Sequence, residues 1–187
     1  SLDTILLRCP EDDPMPYIEG ALSDSRQIGV KFELCHLPFS GGNSTKEEVQ
    51  VRFCARMHRA IDAAAALGVQ YAVLHPNTTT IPMRSFCKTE QYNLVMAHLS
   101  PFVEHAERIG LHVVIENMRV VSGPTLSHRY CQTPEELCEI ADALGIGVCW
   151  DFGHAHISGL KQSEAIAYVG KRLKVLHVND NFGADDE

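Results

Sequence analysis

Five residues able to hold a metal ion or move a proton stand at the C-terminal ends of short apolar runs: His36, His75, Glu116, Asp151 and His177. Glu116 follows Val113-Val114-Ile115, and Asp151 follows Val148-Cys149-Trp150. Both carboxylates therefore enter partly buried surroundings, where an unpaired charge is costly. A metal ion or an acid–base role removes that cost. His154 lies three residues past Asp151, across Gly153, where a tight turn lets both side chains face one pocket. A hard divalent cation needs carboxylate oxygens, and a borderline one also accepts imidazole. Glu116, Asp151 and His177 supply such a mixed set and leave room for substrate oxygens. His36 precedes Leu37-Pro38 and His75 precedes Pro76; for each, capping of a strand end by a backbone hydrogen bond stands beside a ligand role.

The runs that carry these residues read as strands: 30–36, 70–75, 112–116, 147–151 and 174–178, with a further one at 4–7. They are nearly continuous in apolar residues, the pattern of strands covered on both faces. Between them lie helices with legible ends. Ser44-x-x-Glu47 reads as a capping box, and Gly68 stands where that helix ends. Val49, Phe53, Met57, Ala60, Ala64 and Leu67 recur within it at three- and four-residue steps. Thr133-Pro134-Glu135-Glu136 is a second capping box, closed by Gly145. A third helix spans about 91–109, with Pro101 as a kink or break, and a last one 163–169. Alternation of strand and helix implies a parallel sheet with right-handed crossovers. Arg8-Cys9-Pro10-Glu11 follows the first strand in place of a Gly-rich phosphate loop. In a parallel barrel all strand ends face one mouth, so the five side chains would converge there.

The chain has 187 residues, a formal charge of −8 and 45% apolar residues. No stretch is long and apolar enough for a membrane span, and no leader is visible at Ser1-Leu2-Asp3. The acidic balance argues against nucleic acid as a partner. Seven cysteines without a C-x-x-C pair suit buried thiols in a reducing cytoplasm better than a disulfide framework. His58, His98, His105 and His128 read as solvated. His112 starts a strand at the end away from the mouth, and His156 lies too far along to reach the site directly.

The ordered set His36-Leu37-Pro38-Phe39, His75-Pro76, Ile115-Glu116-Asn117, Asp151-Phe152-Gly153-His154-Ala155 and His177-Val178-Asn179-Asp180 resembles the xylose-isomerase-like TIM-barrel superfamily over nearly the whole chain. That superfamily includes sugar isomerases and epimerases, inosose dehydratase and the endonuclease IV group. The resemblance implies an α/β (β/α)₈ barrel and a divalent metal cofactor, Mn, Mg, Co or Zn. It implies that Glu116 is both metal ligand and acid–base carboxylate, and that Asp151 and His177 are the next two ligands. His154 would contact the substrate and assist catalysis. His36, His75, Asn117 and Asp180 would line the sugar site, or, for the first two, hold extra zinc as in endonuclease IV. The fourth family ligand, a glutamate on the eighth strand, has no counterpart in these residues. A barrel takes about 250 residues, and this chain supplies what read as strands two to seven. It is therefore expected to be one barrel domain, 1–187, seen in part, without its first and eighth strands.

The expected activity is metal-dependent isomerisation or epimerisation of a sugar or sugar phosphate through an enediolate. The alternatives are an endonuclease IV-like zinc phosphodiesterase, an inosose dehydratase-type lyase, or a barrel that binds without catalysing. Arg119 and Arg129 are candidates for a substrate phosphate. Homodimers or homotetramers are common among the similar enzymes.

Overall fold

The structure, a computed structural model, describes residues 13–120, 123 and 125–183. The strand expected at 4–7 and the Arg8–Glu11 loop lie outside them, as does part of the loop after Arg119. The chain divides into two compact units: residues up to Leu74 with Pro101–Val113, and His75–Ser100 with the residues from Val114 onward.

The first unit holds α1 (Met15–Ile28), β1 (Leu34–His36), α2 (Glu47–Leu67), β2 (Tyr71–Leu74), the last turns of α3 (Lys88–Arg108) and the opening of β4 (His112–Glu116). β1 and β2 pair in parallel, Leu34 opposite Tyr71 and His36 opposite Val73. The expected strand from residue 30 shortens to three residues. Val30, Lys31 and Glu33 are exposed, although the Glu33 carbonyl still accepts from Gln70 N at 2.8 Å, one residue before β1.

In α2 the predicted face is the buried one: Phe53, Met57, Ala60 and Ala64 point inward with Ile61. Phe53 meets Phe102 of α3 edge-on, with centroids 6.2 Å apart. Gly68 ends the helix at φ 71°, a left-handed conformation that glycine adopts without steric cost. The start differs from expectation. Lys46 is the N-cap residue and makes no side-chain cap. The Ser44 hydroxyl instead accepts from Lys46 N at 3.2 Å, a local turn that competes with capping. The side chain of Gln50 ties down the preceding loop, donating to the carbonyls of Ser44 (2.7 Å) and Gly42 (2.9 Å).

α3 continues through Pro101 as one helix. Proline removes one backbone donor, and the adjacent Ser100 hydroxyl donates to Met96 O at 2.7 Å. One of the boundaries between the two units falls at this proline.

The second unit holds the rest of β4, then β5 (Ser127–Arg129), α4 (Pro134–Leu144), β6 (Gly147–Asp151), α5 (Phe152–Ile157), α6 (Gln162–Val169) and β7 (Leu173–His177). It also holds β3 (Thr80–Pro82), which pairs antiparallel with β5, a small addition that the sequence pattern does not announce. The parallel order is β1-β2 in the first unit and β4-β6-β7 in the second. Each parallel strand is followed by at least one helix before the next, the βα order of a TIM barrel.

β4 and β6 are buried over their last four residues, whereas β7 alternates and leaves Leu176 exposed. The two-sided covering expected for every strand therefore fails at β7. Thr133 caps α4 as expected, accepting from Glu136 N at 3.4 Å. The second half of that box is absent. The Glu136 carboxylate turns to Cys131 N (3.0 Å) and His128 Nε2 (2.8 Å) instead. Among the described residues no helix is long and apolar enough to cross a membrane.

Candidate metal centre

Strand register builds the site. Glu116 is the last residue of β4 and pairs with Cys149 of β6. Asp151, two residues further along β6, pairs with His177, the last residue of β7. Side chains alternate faces along a strand, so Cys149 and Asp151 share one face. His75 follows the last residue of β2, and His154 enters from the first turn of α5.

Glu116 lies at the centre with only 2% of its surface exposed. Three imidazoles approach its carboxylate: His75 Nε2 at 3.1 Å from Oε2, and His177 Nδ1 and His154 Nδ1 at 3.1 and 3.4 Å from Oε1. His177 Nδ1 also lies 3.5 Å from Asp151 Oδ2. Within the second unit, among the described residues, two groups place ligand atoms within 4.8 Å of one another: Glu116, Asp151 and His154, and Glu116, Cys149 and His177.

Backbone contacts fix these side chains. Asp151 Oδ1 accepts from His154 N at 2.7 Å, an N-cap on α5. Asn117 is fully buried and spans to the neighbouring strand. Its Nδ2 donates to Asp151 O (3.0 Å), and its Oδ1 accepts from Asp151 N (2.6 Å). His154 Nδ1 is 2.7 Å from Asn117 O. A carbonyl only accepts, so Nδ1 carries the proton and Nε2 presents its lone pair. Asn179 Nδ2 lies 3.2 Å from Asp151 Oδ2. Beneath the turn, Trp150 Nε1 donates to Gln162 Oε1 (3.0 Å), and Gln162 Nε2 donates to Phe152 O (2.9 Å).

The need for glycine at 153 has a different cause from a tight turn. A Cβ there would collide with the Asn179 amide and stand 2.8 Å from Asn181 Nδ2. Gly153 is absent from the positive-φ residues, so close approach of side chains, not backbone conformation, excludes a larger residue.

The donor set fits a divalent cation: buried carboxylates with imidazole partners. Hydrogen bonding to Asp151, then to Cys149 and Glu116, pushes the His177 imidazole up to about 12. In the cation-free chain this group keeps its proton throughout the neutral range. The stability it contributes is full below its unfolded value, near 6.5, and is lost as pH rises through about 12. A cation must displace that proton. Binding should therefore strengthen with pH across the neutral range, with about one proton released from His177 per ion. Calorimetric titration of Mn²⁺, which does not engage a thiol, in two buffers of different ionisation heat reads that number directly.

His36 closes β1 in the first unit, with Nδ1 2.7 Å from Leu37 O; its Nδ1 therefore carries the proton. Asp180 is exposed and accepts from Asn181 N at 2.9 Å. Arg129 donates through Nε to Thr78 O at 3.0 Å, which fastens its loop. Four histidines expected to be solvated are half-buried and hydrogen-bonded, because they lie on inward-turned faces. His58 and His105 face each other through Nδ1 at 2.8 Å, His105 Nε2 meets Asp62 at 3.0 Å, His98 meets Asn77 at 3.2 Å, and His128 meets Glu136. His156 is exposed.

Residues 8–187 match the family described as xylose isomerase-like TIM barrel. The chain belongs to that family. A curated relative, an uncharacterized protein of Methanocaldococcus jannaschii, is 32% identical over 160 residues, covering 81% of this chain and 52% of that protein. A solved D-tagatose 3-epimerase-like protein superposes with TM-score 0.73 at 27% identity, over 95% of this chain and 65% of its own. A D-psicose 3-epimerase solved in the presence of D-fructose shares the fold at 17% identity, with TM-score 0.64 over 87% of this chain and 57% of its own. The chain thus spans about half the length of the curated relative, and 65% and 57% of the two solved proteins.

Proposed function

We propose that this xylose isomerase-like domain carries the metal and acid–base half of a sugar isomerase or epimerase site. The observation that supports it is Glu116: a buried carboxylate ringed by three imidazoles at a strand end. Glu116, Asp151 and His177 would hold a divalent ion (Mn, Mg, Co or Zn). When bound, the ion supplies positive charge that polarises a carbonyl oxygen and acidifies the neighbouring C–H.

Glu116 accepts the proton from that carbon and returns it. His154 presents its Nε2 lone pair, held in that tautomer by Asn117 O, and orients a substrate hydroxyl. His75 holds Glu116 by donating to Oε2. His36 and Asp180 remain assigned to the substrate side. Asn117 is a positioning residue, because both ends of its amide are spent on the backbone of Asp151. The substrate is a ketose or ketose phosphate in a cytoplasmic setting.

Incubation of the cation-loaded protein with a panel of ketoses in deuterated water tests this reading. Deuterium should enter at a carbon beside the carbonyl, with substrate mass otherwise conserved. Loss of water would indicate a lyase, and cleavage of a phosphodiester with no exchange would overturn the proposal.

A further inference from the structure

We infer that Cys149 is a ligand of the same cation, through Sγ, and that it biases the site toward a borderline ion such as zinc or cobalt over magnesium or manganese. The inference rests on the metal reading above and extends it to a residue type that a purely oxygen and nitrogen site lacks.

Four observations carry it. Cys149 is the register partner of Glu116 on the neighbouring strand. It lies two residues before Asp151, hence on the same face of β6. Its sulfur, a Glu116 oxygen and a His177 nitrogen all lie within 4.8 Å of one another. Cys149 is also fully buried, with none of its surface exposed. A thiol in an ordinary apolar core touches side chains that cannot ligate. This one sits between a carboxylate and an imidazole that both can.

On binding, the S–H bond gives up its proton to solvent and the thiolate donates an electron pair to the cation; no oxidant or reductant takes part. Thiolate selects softer ions, whereas carboxylate alone suits magnesium and manganese. The site's preference then depends on which atoms the ion engages. Glu116, Asp151 and a substrate oxygen suit a hard ion; Glu116, Cys149 and His177 suit a borderline one.

Cobalt(II) titration of the cation-free protein tests the assignment by absorption. The expected result is visible d–d bands together with a sulfur-to-cobalt charge-transfer band in the near ultraviolet. The near-ultraviolet band should vanish in Cys149→Ser and persist in Cys138→Ser. Zinc affinity should fall on the order of tenfold or more in Cys149→Ser, with manganese affinity nearly unchanged. Should Cys149→Ser fail to fold, X-ray absorption of the zinc-loaded wild-type protein gives the same answer through a sulfur scatterer at about 2.3 Å. Visible bands without charge transfer, or a zinc shell of nitrogen and oxygen only, would overturn the role of Cys149 and leave the metal reading intact. No cobalt uptake at all would overturn both.

Discussion

Glu116→Gln should lower deuterium exchange into a ketose substrate by roughly 10²–10⁴-fold, the range for loss of a positioned general base. Gln keeps the size and one oxygen but cannot take a proton. His75 and His177 donate to opposite oxygens of this carboxylate, so the amide also leaves one of them facing an N–H donor. Cation affinity should fall as well, because a charged ligand becomes neutral. The two effects separate when exchange is measured at saturating cation: a loss of exchange that persists there belongs to proton transfer. Full exchange in Glu116→Gln would remove Glu116 from the chemistry.

Gly153→Ala should damage the site without touching a ligand. The added methyl group would occupy the place of the Asn179 amide, which stands 3.2 Å from Asp151 Oδ2. Asn179 must then leave, and Asp151 loses a partner that sets its orientation. Loss of such a supporting contact commonly costs about 10–100-fold in metal affinity. The same substitution shifts the first turn of α5, whose N-cap bond runs from Asp151 Oδ1 to His154 N. Calorimetric titration of the cation, with circular dichroism to confirm the fold, reads the outcome. Unchanged affinity in a folded Gly153→Ala protein would show that Asn179 plays no part in holding Asp151.

The positions of the chemical residues were legible because strands announce themselves as apolar runs, and a polar residue ending one is conspicuous. His36, Glu116, Asp151 and His177 each end a strand, and His75 directly follows one. The helix ends at Gly68 and Gly145 were legible for a similar reason, since both adopt left-handed backbone. What was less legible depended on contacts distant in sequence. Ser44 fits a capping pattern, yet Gln50 holds the loop from six residues away. Asn117 looks like a pocket residue until the partner strand fills both ends of its amide. The β3–β5 pair joins segments nearly fifty residues apart, and neither is apolar enough to read as a strand. Cys149 is buried, as its apolar surroundings announce; its closeness to Glu116 follows from strand register, which pairs residues distant in sequence.

The central claim is that Glu116, Asp151 and His177 hold one divalent cation. Titration of Mn²⁺ into the cation-free protein at neutral pH, followed by calorimetry, tests it most directly. One ion per chain should bind saturably with proton release, and Asp151→Asn should abolish this while the circular dichroism spectrum stays the same. Equal cation uptake by the wild type and Asp151→Asn, or no saturable uptake by a folded wild-type protein, would contradict it.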